Sequence, residues 1–283
     1  MTIPHLFIVV LINMLWGSMF IVATIGLREF PPILFTSIRF LILTLMLSFY
    51  IRVPREYICP LLKIGALTGV GMYLTLYLSL ALAENTSSVA IISKLEVPFA
   101  ILLGAVLLKE KIGVRRIVGV MIAMTGALLI GFDPAAFDDL PALFWMTISS
   151  AFSAYAAIKV RELGNISPLT ITAWVSAVGG PVLVAVSFLF EFEDWNRVGQ
   201  AGVVGWSALL YTAIVGSIIA NSAMYFLIQR YPVSQVAPFL LLSPVFAVIG
   251  GVLFLEDQLT TALIAGGLLV LAGVGWITKV NTR

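Results

Sequence analysis

Apolar residues run along this chain in blocks of about twenty and do not alternate with polar ones. A helix needs ~20 such residues to cross a bilayer, whereas a strand needs about half as many and an alternating pattern. Ten blocks are predicted as membrane-spanning helices: residues 5–27, 33–51, 61–83, 88–108, 114–132, 141–161, 168–190, 202–228, 234–254 and 261–279. The joints hold breakers, namely Pro31-Pro32, Pro54, Pro60, Asp133-Pro134, Pro141, Pro168 and Pro232. No joint is long enough for a further domain.

One element occurs twice. Residues 87–111 read SSVAIISKLEVPFAILLGAVLLKEK, and residues 233–257 read VSQVAPFLLLSPVFAVIGGVLFLED. Ser88 aligns with Ser234, Pro98 with Pro244 and Glu110 with Glu256, all at one interval. Weaker matches extend the repeat. Gly119 and Gly126 align with Gly266 and Gly273, Tyr73 and Tyr77 with Asn221 and Tyr225, and Trp16-Gly17-Ser18 with Phe152-Ser153-Ala154.

Composition excludes a soluble domain. The chain is 61% hydrophobic and 11% charged, with a mean hydropathy of +1.10; soluble domains carry about 25% charged residues. The first block is too long for a signal-peptide core and lacks a basic leader, so it is expected to stay as a span. Charge placement tests the count of ten. Threading ten spans puts Arg52, Arg55, Lys63, Lys109, Lys111, Arg115, Arg116, Lys159, Arg161, Arg230, Lys279 and Arg283 on the side of the N-terminus. The other side receives only Arg28 and Arg197. Lys and Arg mark the cytoplasmic face, so both termini are expected there. Nine or eleven spans would scramble this sorting.

The repeat then acquires a direction. Glu110 ends span four and Glu256 ends span nine, five spans apart, so the two copies finish on opposite sides. The loop after the first copy is basic (Lys111, Arg115, Arg116), and the loop after the second has no Lys or Arg. The expected fold is an all-α membrane protein of ten helices. It is built as two inverted-topology five-helix halves, 1–135 and 136–283, around a central cavity. Inverted halves suit alternating access, because they can exchange conformations about an axis in the membrane plane.

Several residues are candidates for chemistry inside the membrane. Pro98 and Pro244 lack an N–H and clash with the carbonyls of Lys94 and Leu240. They are read as hinges or cavity-lining breaks, against a static kink. Pro238 makes the first half of span nine irregular as well. Arg39, Lys94 and Glu96 are charges within spans, which are costly and point to function. Lys94 and Glu96 lie two apart, on nearly opposite sides of a regular helix. Arg39 is a candidate partner for Glu96, and the three are assigned to ion coupling or structural pairing. The second copy has Leu240 and Leu242 at the matching positions, so the charges are not shared architecture. Trp16, Tyr73, Tyr77, Ser153, Tyr155, Asn221 and Tyr225 supply hydrogen-bonding and aromatic groups for a substrate cavity. Such a cavity fits small amphipathic solutes, amino acids with apolar side chains included. The competing use of these residues is interhelical bonding. The seven-residue glycine step in spans five and ten permits close helix approach; packing within a monomer is preferred to a dimer.

Together the Trp16-Gly17-Ser18 motif, Pro32 with Arg39-Phe40, the elements 98–110 and 244–256 and the glycine-marked spans five and ten resemble the EamA family of the drug/metabolite transporter superfamily. The resemblance covers the whole chain. It implies a ten-helix inner-membrane permease, shaped as a basket of helices around a cavity with spans five and ten set apart. The branch of aromatic amino-acid exporters is the nearest. The implied function is secondary export of small metabolites, amino acids foremost. A proton-coupled drug carrier or a nucleotide-sugar carrier of the same superfamily is the alternative, though the latter needs more cavity cations for a diphosphate than Lys94 and Arg39.

Other function classes fit poorly. No Walker-type glycine loop is present, so ATP driving by this chain is not expected. His5 and Cys59 are the lone residues of their kinds, which leaves no multi-cysteine metal site and no disulfide. With the aspartates confined to loops, a membrane protease lacks its catalytic pair, and only a lipid-handling enzyme without histidine stays open. A channel would show a charged ring or a carbonyl filter. No cofactor, metal or nucleic-acid partner is expected; the partners are a small-molecule substrate and the bilayer.

Overall fold

The structure is a computed structural model that describes residues 1–82, 92–131, 140–164, 166–254 and 261–281. Among the described residues every regular element is helical. The main helices are α1 (Ile3–Leu27), α2 (Pro32–Met46), α3 (Arg55–Ile64), α4 (Tyr73–Leu82), α5 (Glu96–Leu107) and α6 (Val114–Gly131). The second half contributes α7 (Leu140–Glu162), α8 (Pro168–Phe190), α9 (Val203–Tyr211), α10 (Ser222–Arg230), α11 (Ser243–Phe254) and α12 (Thr261–Asn281). Pro4, Pro32 and Pro168 open α1, α2 and α8, where a missing N–H costs nothing.

Not every apolar block becomes one long helix. Four stretches are long and apolar enough to cross a membrane alone: Arg55–Leu76, Leu140–Glu162, Pro168–Phe190 and Val203–Arg230. Others are shortened by breaks, among them Glu96–Leu107 and Val233–Ala247. Large apolar side chains such as Phe7, Leu45, Phe49, Leu102, Phe188, Val203 and Leu268 point outward. Water would penalise that surface, and hydrocarbon does not. The chain is an integral membrane protein.

The halves run in opposite senses. Helix α6 lies along α12, and their glycines set the register. A Cβ on Gly119 would meet Gly273 O at 3.2 Å and Ile277 Cγ1 at 2.5 Å, and one on Gly126 would meet Gly266 O at 2.6 Å. As one number rises the other falls, so the helices are antiparallel. Gly119 corresponds to Gly266 in the repeat and Gly126 to Gly273, so the contact 119–273 maps onto 266–126. That is the closure a twofold axis requires. The remaining packing obeys the same relation. Helix α1 packs on α11 as α7 packs on α5, and α2 packs on α8.

Helix ends that the charge sorting places on one side also meet. Glu191, after α8, accepts the Ile33 and Leu34 amides at 2.9 and 2.8 Å. Glu29, after α1, accepts the Gly202 amide at 2.7 Å. At the basic end, Glu110 accepts the Val233 and Ser234 amides at 2.8 and 2.9 Å. Each carboxylate satisfies helix N-terminal donors that have no intrahelical partner. Glu256 and Ser88, the repeat partners of Glu110 and Ser234, lie outside the described residues.

Candidate substrate cavity

The site is assembled from breaks in four spans. In span four the helix halts at a turn over Lys94 and Leu95, and α5 starts afresh at Glu96. The Lys94 carbonyl accepts the Val97 amide at 3.1 Å instead of continuing a regular ladder. In span nine, Val233–Val236 gives way to a tight turn of helix over Ala237–Leu242, and α11 starts at Ser243. Pro98 and Pro244 thus fall in the first turn of a new helix, where proline fits best. The carbonyl of Leu240 accepts the Ser243 hydroxyl at 2.9 Å.

Spans three and eight contain wider π-helical stretches, Gly65–Met72 and Thr212–Asn221. They occupy equivalent positions in the two halves, directly before Tyr73 and around its repeat partner Asn221. Such stretches free carbonyls and cluster at functional sites. Helix α7 satisfies one, with Ser149 donating to Met72 O at 2.8 Å, and serves the break of span four as well, with Ser150 donating to Ile92 O and Ser93 O at 3.3 Å each. The sequence reading missed these stretches and the serines that serve them. The run Gly65, Gly69 and Gly71 was the available signal. A Cβ on Gly69 would meet Val175 O at 2.4 Å, so span three presses backbone to backbone on α8.

Polar side chains gather where these breaks face one another. Glu96 accepts the Ser153 hydroxyl at 2.6 Å. Lys94 Nζ reaches Ser243 Oγ at 3.4 Å, which links the break of span four to that of span nine. Lys94 and Glu96 act on each other electrostatically without forming an ion pair. Tyr73 and Tyr225 are half-buried and pack against the main apolar core. Trp16 Nε1 donates to Asn221 Oδ1 at 3.1 Å, and Ser18 shares a hydrogen bond with Tyr211 at 2.8 Å. Trp16, Tyr73, Lys94, Glu96, Ser153, Asn221 and Tyr225 are all half-buried.

Two of the expected residues, Tyr155 and Arg39, stand apart. Tyr155 is about 200° around α7 from Ser153, and Lys159 Nζ sits 5.2 Å from its ring centre. The side chain of Tyr77 lies outside the described residues. Arg39 forms no pair with Glu96. It is 6% exposed, with its guanidinium carbon 5.2 Å from the Phe40 ring centre and 5.3 Å from that of Tyr73. Its Nε and Nη2 have no hydrogen-bond partner among the described residues.

A separate apolar groove of about 490 Å³ is lined by Leu6, Val10, Phe239, Leu242, Phe246, Leu271, Val274, Gly275 and Lys279. Val10 and Leu271 are outward-facing there. Its lining suits a hydrocarbon chain and not a polar cargo, and it holds none of the charged cluster.

A family model described as the EamA-like transporter family matches residues 3–132 and again 140–279. A probable amino-acid metabolite efflux pump of Salmonella typhimurium is 25% identical over 279 residues, covering 95% of this chain and 92% of that protein. A protein of the same description in Escherichia coli is 24% identical over 273 residues, 93% and 91% of the two chains. An uncharacterized transporter of Archaeoglobus fulgidus is 24% identical over 265 residues, 92% and 93%. One crystal structure matches with a TM-score of 0.84 at 17% identity, across 100% of this chain and 99% of its own, a likeness of fold.

Proposed function

The chain belongs to the EamA-like transporter family, and on that premise we propose that it exports small metabolites, neutral and aromatic amino acids foremost, by alternating access. It sits in the inner membrane with both termini cytoplasmic, in keeping with the Lys and Arg sorting. The observation that carries the cargo class is the pairing of charge and aromatic wall at the helix breaks. Lys94 and Glu96 offer a cation and a carboxylate for a zwitterion's two ends. Tyr73, Tyr225 and Trp16 offer apolar faces with polar tips for a side chain. The efflux-pump relatives favour the same cargo.

Transport works by exchange between the halves. Their twofold relation supplies two arrangements of similar energy, one open to each side. Pro98 and Pro244 sit at the flexible joints between them. The test is counterflow of radiolabelled neutral amino acids in proteoliposomes without ATP. Vesicles that carry another metabolite class and no amino acid refute the cargo. Proton coupling is a second reading, favoured by a half-buried carboxylate inside a span, Glu96, held by Ser153. A pH gradient that drives amino-acid movement in native protein but not in Glu96→Gln supports it.

A further inference from the structure

The apolar groove holds none of the charged cluster and opens toward the membrane. Its walls are α1 and α12, and its floor is the broken part of span nine, where Phe239 and Leu242 are buried. The lining residues agree on depth. Helix α1 starts at the basic end of the bundle and α12 finishes there, so Leu6 and Lys279 share the mouth. Val10 and Leu271, both exposed, lie about 6 and 12 Å deeper by helical rise. Lys279 is the charged member of the lining, and its side chain is exposed. Close by, Trp276 is exposed and donates Nε1 to Arg115 O at 3.0 Å, which brings another exposed basic residue to the same end. Tryptophan favours the level of the lipid headgroups. The hollow, about 490 Å³, is within the size range of small-molecule sites. Water finds no polar partners along its apolar length, and the solvent at that depth is acyl chain. A cation at the mouth suits an anionic headgroup on the cytoplasmic face.

We propose that this groove binds an anionic phospholipid, with one acyl chain along Phe239, Phe246 and Leu271 and the headgroup phosphate against Lys279. The site is separate from the proposed solute path, and its chain rests on the break of span nine. A zwitterionic lipid fills the same length but brings no net charge to the mouth, so headgroup selectivity is the signature. Gly275 offers a way to close the groove. A Cβ there meets nothing within 4 Å, so a larger side chain enters the hollow without pressing on backbone.

The test is native mass spectrometry of the full-length protein titrated with three probes: phosphatidylglycerol, phosphatidylcholine with the same acyl chains, and glycerol 3-phosphate, which has no chain. Native protein should bind phosphatidylglycerol about fivefold more tightly than phosphatidylcholine, the worth of one lysine near an anionic surface. Glycerol 3-phosphate should not bind. Lys279→Gln should bring phosphatidylglycerol down to the level of phosphatidylcholine and leave the latter unchanged. Lys63→Gln removes an exposed cation from the basic end but outside the groove, and should change neither. Gly275→Leu should weaken both lipids by about tenfold, the worth of two buried methylenes. Equal affinity of native protein for the two lipids overturns the proposal, and that result needs no variant to fold. Equal loss in Lys279→Gln and Lys63→Gln assigns the preference to the general charge of the membrane face and overturns it too. Unchanged lipid binding in Gly275→Leu places the lipid elsewhere and refutes the groove. Glycerol 3-phosphate bound as tightly as phosphatidylglycerol marks a phosphate site and refutes the acyl chain.

Discussion

Glu110→Gln is the perturbation that most directly tests the seam between the two copies of the repeated element. The Glu110 carboxylate takes the Val233 amide on one oxygen at 2.8 Å and the Ser234 amide on the other at 2.9 Å. Arg116 reinforces the joint by donating to Ser234 Oγ at 3.1 Å. The chain reaches this geometry by ending α5 with Lys109 in a left-handed turn, at φ 53°, which brings the Glu110 amide back to Gly104 O at 3.1 Å. Glutamine keeps one acceptor, turns an NH2 toward the other amide and removes the charge from a helix N-terminus. A lost N-cap contact costs about 0.5–2 kcal/mol and the lost dipole interaction about 0.3–1 kcal/mol. Glu110 is half-buried, so solvent replaces part of this, and ~1–2 kcal/mol is the expected net. That is about a five- to thirtyfold rise in local opening. Hydrogen exchange read by mass spectrometry checks it: residues 233–236 should exchange faster by that factor. Residues 33–36, whose amides are held by Glu191 at the other end of the bundle, should not change. Unchanged protection at 233–236, or equal loss at both places, refutes the claim that this carboxylate holds the seam.

The α6–α12 contact predicts a contrast within one helix. On Gly273 a Cβ would meet Ala123 N at 2.5 Å and Gly119 O at 2.6 Å, both backbone. Gly273→Ala should therefore cost about 1–3 kcal/mol and lower the melting temperature. Gly275→Ala meets nothing within 4 Å and should be neutral or gain up to ~1 kcal/mol, as thermal unfolding would show. Ser153→Ala removes the 2.6 Å donor to Glu96, and counterflow should fall by about tenfold with folded yield kept. Pro98→Ala and Pro244→Ala permit the helix to run back through each break. Both should slow transport more than they reduce folded yield, and equal losses would mark the breaks as static.

Much of the architecture is readable from the residues because the causes are local or are repeated. The proline breaks follow from a missing N–H, and they appear at the carbonyls of Lys94 and Leu240. The glycine register follows from a repeat that each helix shares with its partner. The charge sorting anticipates which helix ends meet, as His5 and Tyr231 do at 2.6 Å. The π-helical stretches left no sign but the Gly65, Gly69 and Gly71 run, since their spacing differs from that of an α-helix by less than one residue per turn. An apolar stretch shows no face on which that difference would register. That Arg39 stands apart was hidden for another reason. Its expected partner, Glu96, is taken up by Ser153, and only three-dimensional packing could show the guanidinium to be left over. Tyr155 needed no structure: its spacing from Ser153 already puts it on another face.

The frame is twofold but its chemistry is not, and this difference matters for the proposed transport. Where span four carries Lys94 and Glu96, span nine carries Leu240 and Leu242, and Leu242 is buried. Symmetric halves give the protein two conformations of comparable energy without any special sequence. A symmetric charge set would present four ionised groups to one small hollow, at a desolvation cost a single cargo molecule could not offset. With the charges on one break only, a cargo meets polar groups along α5, α7 and α10 and an apolar wall from span nine. On the proposed alternating-access reading, the charged break of span four would stay with the cargo as the halves exchange. A moving frame around a fixed polar wall is the arrangement alternating access requires.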